Sequence, residues 1–386
     1  MIKTDVCIIG AGPSGTSTSL MLSKMKISHY IVDKSIFPRD KTCGDGLILY
    51  AYKSLLQIDE KLFQAFLENS KFIHSKKIKL HINDNLNVNI QESQDRDMVI
   101  TYAKRFDFDY FLVSHLSKKY ANCEFGNGLK KITQLKEGVL IKLKDGKEIL
   151  AKIVVGADGA NSIISRRLAK NTINKSLTST FVNAYFKDVV ELPKSNEAEI
   201  RLIYKKTPLF FYIFPLADGT VNVSLGARTD LIKKYDINLL EEAKSILKKH
   251  KKVAHKFKNA TLVNSWRGWS IPFDFNSKKV SGDRFLLVGD AAGLTNSFYK
   301  EGVGTGMMSG IICAKKINEC LKENNFSESF LASYQNELKK EFSRLLTFSN
   351  IMVKMARSKY IFAAMVKLFK NRFQQKAPNF IKRKSY

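Results

Sequence analysis

The opening of the chain places two apolar runs on either side of a glycine-rich turn. Residues 6–9 form an unbroken apolar run, as in a buried parallel strand, and residues 29–33 form a second strand-like segment, ending in Asp33, after a helix-like stretch. In the turn between them, Gly10 permits a tight bend, Gly12 lets the backbone approach a pyrophosphate, and Gly15 permits close helix packing. The pattern predicts a nucleotide-binding strand–helix–strand unit.

The same unit indicates where the nucleotide would lie. Its phosphates would sit at the helix N-terminus, beside Pro13 and Ser14, where free N–H groups and the positive end of the helix dipole converge. Asp33 closes the second strand at the spacing of an acidic residue that accepts hydrogen bonds from ribose hydroxyls. We count Lys34, which follows it, among the cofactor-binding residues.

Further along, the periodicity changes from strand to helix and back. Residues 71–101 alternate polar and apolar positions around a polar turn at 83–85, which predicts an exposed antiparallel hairpin. Residues 180–272 are mainly strand-like. The remaining segments predict a strand meander over 131–155 and helices over 108–120, 239–252 and 302–321.

Composition limits the class of protein. With 386 residues, 44% of them apolar, the chain can bury a large core. The five cysteines form no CxxC pair, so we expect neither a disulfide framework nor a metal site. Strand-like sequence begins at residue 5, and no apolar run approaches the ~18 residues of a membrane span, so we expect a cytoplasmic protein.

The formal net charge of +28 calls for a separate explanation. Nucleic acid is not the expected partner, because the lysines are spread along the chain without interleaved aromatic residues. An anionic membrane or a phosphorylated lipid fits better, and the alternative is a general preference for surface lysine.

Basic charge is concentrated in the C-terminal extension. No acidic residue follows Glu341, whereas eleven lysines and arginines do, interspersed with apolar residues over 351–369. A basic helix with an apolar face is typical of an interfacial anchor, here on the inner face of the membrane. Alternatively, these apolar residues cap the substrate-binding domain, which is the mainly strand-like part of the chain.

Two later motifs identify the nucleotide by resemblance. One is a strand running into a polar turn over 154–162, and the other is the strand 284–288 followed by Gly289-Asp290 and then by 301–304. Together with the stretch Arg105 to Leu112, which fits R-x-x-F-D-x-x-L, the chain resembles the flavoprotein monooxygenase and geranylgeranyl reductase superfamily, whose fold is that of para-hydroxybenzoate hydroxylase. The resemblance implies FAD.

It also implies the roles of individual residues. Asp290, with Gly289, would bind the ribityl chain, and Gly302 and Val303 would bring helix N-terminal amides to the isoalloxazine, where reduced flavin is negative. Arg105 would lie against the cofactor. Asp158 fits either a cofactor contact or an Asx-type hydrogen bond that holds its own turn.

The resemblance further implies the fold class and the domains. The fold is α/β, or α+β overall, with a Rossmann-like FAD-binding domain, an inserted antiparallel-sheet substrate domain and a C-terminal helical extension. The corresponding ranges are 1–70, 102–175 and 275–325 for the first, 71–101 and 176–274 for the second, and 326–386 for the third.

A loop dense in breakers follows the second strand. It matches the reductase pattern F-P-R-x-K-x-C-G, and in that branch it lines the active site beside the flavin. Arg39, Cys43 and Gly44 are therefore predicted to contact the cofactor. Cys43 would either donate a proton or only shape the pocket, and Glu301 is a second candidate for proton supply.

An aromatic run is the predicted substrate wall. Residues 207–216 align with the reductase pattern Y-x-W-x-F-P, and the predicted substrate contacts are Phe210, Tyr212, Phe214, Pro215 and Trp269. Halogenases carry two tryptophans in this slot, which the chain lacks. However, lysines 76, 77 and 79 lie near the position expected for a halogenase lysine.

The resemblance implies reduction of C=C bonds in a long isoprenoid or prenyl lipid by hydride transfer from FAD, with NAD(P)H or ferredoxin as the external electron donor. The superfamily's D-P-x-T-G-E-G-I reads Asn296 to Val303 here, a departure at the flavin face that leaves the substrate open. The alternative is a monooxygenase or halogenase acting on an aromatic or polyene substrate. A third possibility is a basic surface-binding protein that only retains the fold.

Overall fold

The computed structural model describes residues 1–82, 86–91, 100–193 and 196–368. The predicted hairpin turn at 83–85 and the part of the basic extension after residue 368 lie outside these ranges. Within them the architecture is a mixed α/β fold, as predicted.

The first sheet carries the predicted nucleotide-binding unit. Its strands run in the order β18-β19-β11-β1-β2-β8, with β9 and β10 adding antiparallel strands beside β11. They are β1 (Ile2–Ile9), β2 (His29–Asp33), β8 (Ala121–Phe125), β9 (Leu129–Gln134), β10 (Val139–Leu143), β11 (Glu148–Gly156), β18 (Ser281–Gly282) and β19 (Phe285–Leu287).

Register explains how distant motifs converge. The parallel pairs place Ile9 opposite both Val32 and Gly156, and Gly156 opposite Leu287. All four strands therefore end at the same edge of the sheet, where ligands bind in open α/β folds. The glycine turn, Asp33, the 157–162 turn and the Gly289-Asp290 turn leave from that edge.

The second large sheet is mainly antiparallel. Its order is β16-β12-β15-β14-β13-β5-β6, and β17 pairs with β12. The strands are β5 (Lys77–Ile82), β6 (Leu86–Gln91), β12 (Thr178–Lys187), β13 (Ala198–Tyr204), β14 (Pro208–Pro215), β15 (Val221–Arg228), β16 (Thr261–Leu262) and β17 (Arg267–Pro272). The hairpin predicted over 71–101 is present as the antiparallel pair β5 and β6.

A third, three-stranded sheet has the order β3-β7-β4. It consists of β3 (Gly46–Leu47), β4 (Ile73–Ser75) and β7 (Ile100–Tyr102). Because β3 follows the breaker-rich loop directly, this small sheet fixes the end of that loop against the start and end of the hairpin segment.

Helices pack against both large sheets. They are α1 (Pro13–Lys24), α2 (Leu49–Ile58), α3 (Glu60–Leu67), α4 (Arg105–Ser114), α5 (Ile163–Arg167), α6 (Thr229–Lys234), α7 (Leu239–Lys249), α8 (Val303–Lys322), α9 (Glu328–Leu331), α10 (Ser333–Met355) and α11 (Lys359–Leu368). In the described part of the chain, none of them combines the length and the apolar character needed to cross a bilayer.

The first of the predicted helices differs most from its predicted bounds, whereas the helix predicted over 239–252 ends at Lys249. The helix predicted over 108–120 begins at Arg105 and ends at Ser114. The Ser117 hydroxyl accepts hydrogen bonds from the N–H groups of Lys119 and Tyr120 and so holds a turn instead. Serine favours such local hydrogen bonds over helix, and the turn leads the chain into β8.

The second sheet buries both of its faces. Along β14, Phe210, Tyr212 and Phe214 belong to one apolar core, whereas the alternate residues Leu209 and Phe211 belong to another, beneath α7. The first core also contains buried residues of α11. The C-terminal extension therefore does cap the second sheet, as one of the two sequence interpretations proposed.

Candidate functional site

The glycine turn has the shape of a phosphate cradle. Gly10 has φ +106°, and a Cβ there would lie 2.3 Å from the carbonyl oxygen of Ala157, so only glycine fits. A Cβ at Gly12 would meet only the Arg39 guanidinium, 3.6 Å away, which leaves the space in front of this residue free. Gly15 packs against the Gly10 carbonyl.

Helix α1 begins directly at this open space. Pro13 is its first residue, and no side chain caps it, so its first-turn N–H groups remain available to an anion. Pro13, Ser14 and Gly12 all line a cleft that starts here. This matches the predicted pyrophosphate position.

Asp33 lies at the end of β2, as expected for a ribose ligand. Its carboxylate accepts hydrogen bonds from the backbone N–H groups of Ala11 and Ser35, each at 2.8 Å, which fixes its orientation and leaves further lone pairs. Lys34 packs beside Gly128, with its Cβ 3.0 Å from where a Cβ on that glycine would lie. Neither Asp33 nor Lys34 lines the cleft itself.

The breaker-rich loop is held by a buried carboxylate. Asp109 accepts from Arg105 through both oxygens, at 2.6 and 2.7 Å, and pairs with Arg39 at 2.8 Å. Burial raises the pKa of the Cys43 thiol, and the positive charge of the nearby Arg105 acts to lower it. Two arginines and Cys43 thereby form one ordered group along the cleft.

Lys41, inside the same loop, was not singled out from the sequence. Its ammonium lies 4.8 Å from the centre of the Trp269 ring and lines the cleft between Cys43 and the glycine turn. Burial lowers its pKa, with Arg105 acting in the same direction and Asp290 against it. Its place between arginine and cysteine in the loop motif was the available signal.

The turn after β11 is held together by Asp158. Its carboxylate accepts hydrogen bonds from the Ser162 hydroxyl and from the N–H groups of Ile163, at 2.6 Å, and Ile164. This is the Asx-type role, one of the two alternatives. Its neighbours Ala157 and Gly159 line the cleft, and a cofactor contact by Asp158 itself remains a prediction.

Gly289 and Asp290 bring the last strand of the sheet to the cleft. Gly289 lies so close to α1 that a Cβ would be 2.2 Å from the Ser14 hydroxyl. The Asp290 carboxylate accepts a hydrogen bond from the Thr295 hydroxyl at 3.1 Å and lines the cleft next to Gly302. The arrangement suits an acid that binds a polyol chain.

Glu301 caps the helix that opens at Gly302. Its carboxylate accepts a hydrogen bond from the N–H group of Gly304, in the first turn of α8, while Gly302 and Val303 line the cleft beside it. Burial raises the pKa of Glu301 to about 7, against the effect of these backbone hydrogen bonds. The carboxyl is thus poised to be neutral or charged near neutral pH.

Beyond Cys43 the cleft continues into an apolar chamber. Tyr212 stacks on Phe181 and Phe214, with ring centroids 5.9 and 5.4 Å apart. Gly44 lies against Phe214, and Trp269 forms the opposite side beside Lys41. Aliphatic side chains complete the lining, namely Ile48, Ile78, Ile100, Ile200 and Ile271.

Two predicted substrate contacts do not line this chamber. Phe210 is covered by Phe298, whose ring meets it edge-on at 5.9 Å, and Pro215 ends β14 away from the cleft. The lysines considered for halogenation are also outside it. Ile78 faces the cleft between them, and Lys79 pairs with Glu197 at 2.7 Å.

The sequence does not predict a buried polar network that joins the loop to the second sheet. Asp45 accepts hydrogen bonds from the Tyr185 hydroxyl and the Asn222 amide, both at 2.7 Å, and Asn222 also donates to the Cys43 carbonyl at 2.9 Å. Burial raises the pKa of Asp45 to about 7. No local sequence signal marks this network, since its members lie on β12, β15 and the loop.

The whole cleft suits a dinucleotide with a reactive ring at the chamber. It encloses about 1380 Å³ including its open mouth and runs from the glycine turn, past Lys41, Asp290 and Gly302, to the aromatic wall. The residues present fit FAD: a space that a Cβ at Gly12 would fill, an arginine beside it, and an uncapped helix start for anionic groups.

Comparison with known proteins supports this assignment. Relatives include the 1H-pyrrole-2-carbonyl-[peptidyl-carrier protein] chlorinase of Pseudomonas fluorescens (24% identical, covering 87% of this chain and 80% of that one). Another is digeranylgeranylglycerophospholipid reductase 1 of Methanosphaera stadtmanae (23%, covering 86% and 80%).

A crystal structure of a geranylgeranyl bacteriochlorophyll reductase-like protein from Thermoplasma acidophilum has the same fold, with a TM-score of 0.85 at 18% identity over 98% of this chain and 94% of that one. Residues 3–349 match the FAD binding domain family. The chain therefore belongs to the FAD binding domain family, within the FAD-dependent oxidoreductase superfamily.

Proposed function

We propose that this protein uses FAD to saturate carbon–carbon double bonds of a long isoprenoid. The observation that carries the proposal is the continuity of the cofactor groove with an apolar, aromatic-walled chamber, with Cys43 where the two meet. Apolar walls with few polar groups favour a hydrocarbon ligand. The reductase relative and the reductase-like fold support the same substrate class.

The side chains at that junction suit the proton half of the reaction. FAD, when bound and reduced, supplies a hydride. Because burial raises the pKa of the Cys43 thiol, its sulfur holds a proton at neutral pH and can give it to the second alkene carbon. The sulfur keeps the electron pair of the broken S–H bond. The positive charge of Arg105, which acts to lower the pKa of this thiol, stabilises the resulting thiolate.

The alternative is a monooxygenase or halogenase acting on an aromatic or polyene substrate, and the chlorinase relative supports it. Against halogenation stands the position of Lys79, which is outside the cleft and paired with Glu197. The two functions share the cofactor, but the substrate gains hydrogen in the first and oxygen or a halogen in the second.

Mass analysis of products separates them. FAD-loaded protein, reduced with dithionite without oxygen, is incubated with a panel of prenyl lipids and aromatic acids, and a parallel sample receives oxygen and halide. A gain of two hydrogens per bond without oxygen supports the reductase. A product that forms only with oxygen and gains oxygen or halogen refutes it.

Two cysteine variants test the proton donor. Cys43→Ala should slow hydrogen gain by about a hundredfold or more, since general acid catalysis contributes on that scale. Cys123→Ala, at an exposed cysteine, is the matched control and should keep the full rate. Equal rates in both variants would remove Cys43 from the mechanism.

The electron donor is proposed to be NAD(P)H or reduced ferredoxin. Anaerobic mixing of the oxidised holoenzyme with NADH, NADPH or reduced ferredoxin, followed by loss of flavin absorbance, identifies which of them reacts. Failure of all three refutes the assignment.

We also propose that the surface formed by α10 and α11 binds the inner face of an anionic membrane. Phe362 is buried against Phe298 of the second sheet's core, whereas Ile361 and Leu368 expose 56% and 81% of their surfaces. The exposed cations Lys359 and Lys367 flank them. An apolar strip with basic edges is the pattern of an interfacial helix.

A further inference from the structure

Lys300 places a cation in the cleft that the proposed reduction does not use. Its ammonium donates hydrogen bonds to the Ser179 hydroxyl, at 2.8 Å, and to the Ser297 carbonyl. It also lies 5.5 Å from the centre of the Phe210 ring and 5.1 Å from that of Phe273. All four partners are neutral.

Among the residues that the structure describes, the charge of Lys300 therefore lacks a counterion. Within residues 1–82, 86–91, 100–193 and 196–368, no carboxylate forms an ion pair with it. The nearby Arg228 is matched by Asp230, to which it donates at 2.9 and 2.8 Å. Burial, reinforced by Arg228, lowers the pKa of Lys300 to about 7. An anion bound in the cleft would supply the counterion of Lys300.

The backbone holds this lysine in a conformation that suits glycine. Lys300 has φ +59°, in the left-handed region, and the superfamily pattern carries glycine at this position. Asn296 fixes the loop: its side chain accepts from the N–H groups of Phe298 and Tyr299, at 2.9 and 2.8 Å, and its carbonyl accepts from Lys300 at 3.0 Å. These hydrogen bonds fix the backbone from which the Lys300 side chain extends to Ser179.

Lys300 lies at the edge of the chamber. Its neighbour Tyr299 lines the cleft and exposes 38% of its surface, so the wall reaches solvent here. Inward from Lys300 the lining becomes aliphatic and aromatic, with Ile271 and Tyr212. A substrate with a charged end and an apolar tail matches this gradient.

We propose that Lys300 binds an anionic oxygen group, a carboxylate or a phosphate, at one end of the isoprenoid, with the tail running into the chamber. The identity of the tail rests on the function proposed above, whereas the anion contact stands on the unpaired cation alone. The substrate class is thus an acidic isoprenoid rather than a neutral one.

Binding to the oxidised holoenzyme tests this without turnover. Farnesoic acid, farnesyl phosphate and farnesol share one tail, and each is titrated at constant pH while the change in flavin absorbance is followed. The wild-type protein should bind at least one of the two anions about tenfold more tightly than the alcohol, as expected for a charge-assisted hydrogen bond. Whichever anion shows the preference identifies the head group.

Three variants make the result specific. Lys300→Met should lose the preference and bind the alcohol as before, Lys300→Arg should retain part of it, and Lys258→Met, at an exposed lysine, should leave it unchanged. Flavin content and thermal unfolding confirm that each variant is folded. If Lys300→Met binds the anions as the wild type does, or loses acid and alcohol equally, the proposal is wrong.

The two proposals fail separately. Anion binding that depends on Lys300, without hydrogen gain by any prenyl substrate, would refute the reductase and leave the anion site in place. Hydrogen gain by prenyl alcohols, with no effect of Lys300→Met on anion binding, would refute the anion site and leave the reductase in place.

Discussion

The Tyr185 hydroxyl donates a hydrogen bond of 2.7 Å to the carboxylate of Asp45 and so ties β12 of the second sheet to the loop that carries Cys43. The loop itself follows β2 of the first sheet. Together with the hydrogen bonds that Asn222 donates to Asp45 and to the Cys43 carbonyl, this buried contact connects the loop to the second sheet, and its energy depends on whether Asp45 is charged.

Tyr185→Phe should lower the free energy of unfolding by about 1–2 kcal/mol. The hydroxyl favours the ionised carboxylate, and burial raises the pKa of Asp45 to about 7, so the loss should be larger at pH 8.5 than at pH 5. Chemical denaturation at the two pH values measures it.

Tyr110→Phe, at a tyrosine exposed on α4, is the matched control and should cost little at either pH. A loss for Tyr185→Phe that is the same at both pH values would mean that the carboxyl is not ionising in this range.

Glu301→Gln should change how stability varies with pH. The folded-state pKa of Glu301 is raised to about 7 from an ordinary 4.5, so the native state binds the extra proton between these values and its stability falls as pH rises through that window. Glutamine still accepts the Gly304 N–H but carries no charge.

The variant should therefore match the wild type near pH 4.5 and be more stable at pH 8, by roughly 1–3 kcal/mol for the FAD-free protein. Denaturant titrations across this range provide the test. Parallel curves for the two proteins would show that Glu301 is solvated and titrates normally.

Gly12→Ala should lose FAD affinity, whereas Gly10→Ala should lose stability. A Cβ at Gly12 meets only the Arg39 guanidinium at 3.6 Å, so the variant should fold but lose FAD affinity by about tenfold or more, because the methyl occupies the space of the pyrophosphate. A Cβ at Gly10 would lie 2.3 Å from the Ala157 carbonyl, at a φ of +106°, and should cost ~3 kcal/mol or more of stability.

Thermal unfolding of the FAD-free proteins, followed by FAD titration, distinguishes the two effects. If Gly12→Ala unfolds early while still binding FAD normally, the space before Gly12 is not where the cofactor lies.

The sequence predicts the cofactor side of the cleft better than the substrate side. The glycine turn and Asp290 carry local motifs, and parallel strands that end together bring them to one edge without further information. The bend at Asp45 carries no such signal, because its partner Asn222 is 177 residues away and meets it only through the pairing of the second sheet.

The substrate wall shows the same limit at single positions. Alternation along β14 places Phe210 and Tyr212 on one face, but Phe298 from a distant loop covers the first of them. The proposed anion contact of Lys300 depends on a loop conformation that Asn296 fixes. In the sequence, Lys300 is visible only as a lysine where the superfamily motif has glycine. Such contacts are set by tertiary packing.

The double variant Ile361→Ser with Leu368→Ser should weaken binding to vesicles containing anionic lipid by about tenfold, since each side chain loses much of its apolar transfer energy. Both side chains are exposed, so the buried contact of Phe362 with Phe298 should remain and thermal stability should be unchanged. Sedimentation with anionic and with neutral vesicles gives the partition, and added salt should weaken only the former.

The matched control replaces two exposed apolar residues away from α11, Ile173→Ser with Leu262→Ser, and should leave binding intact. Equal losses in both double variants would point to non-specific adsorption. Unchanged binding in the α11 variant would leave the helix with only its capping role. A loss of binding that is selective for anionic vesicles would support α11 as the membrane contact. Because α11 packs on the apolar core that contains Phe298 and Tyr212, the chamber would then lie close to the membrane that supplies an isoprenoid substrate.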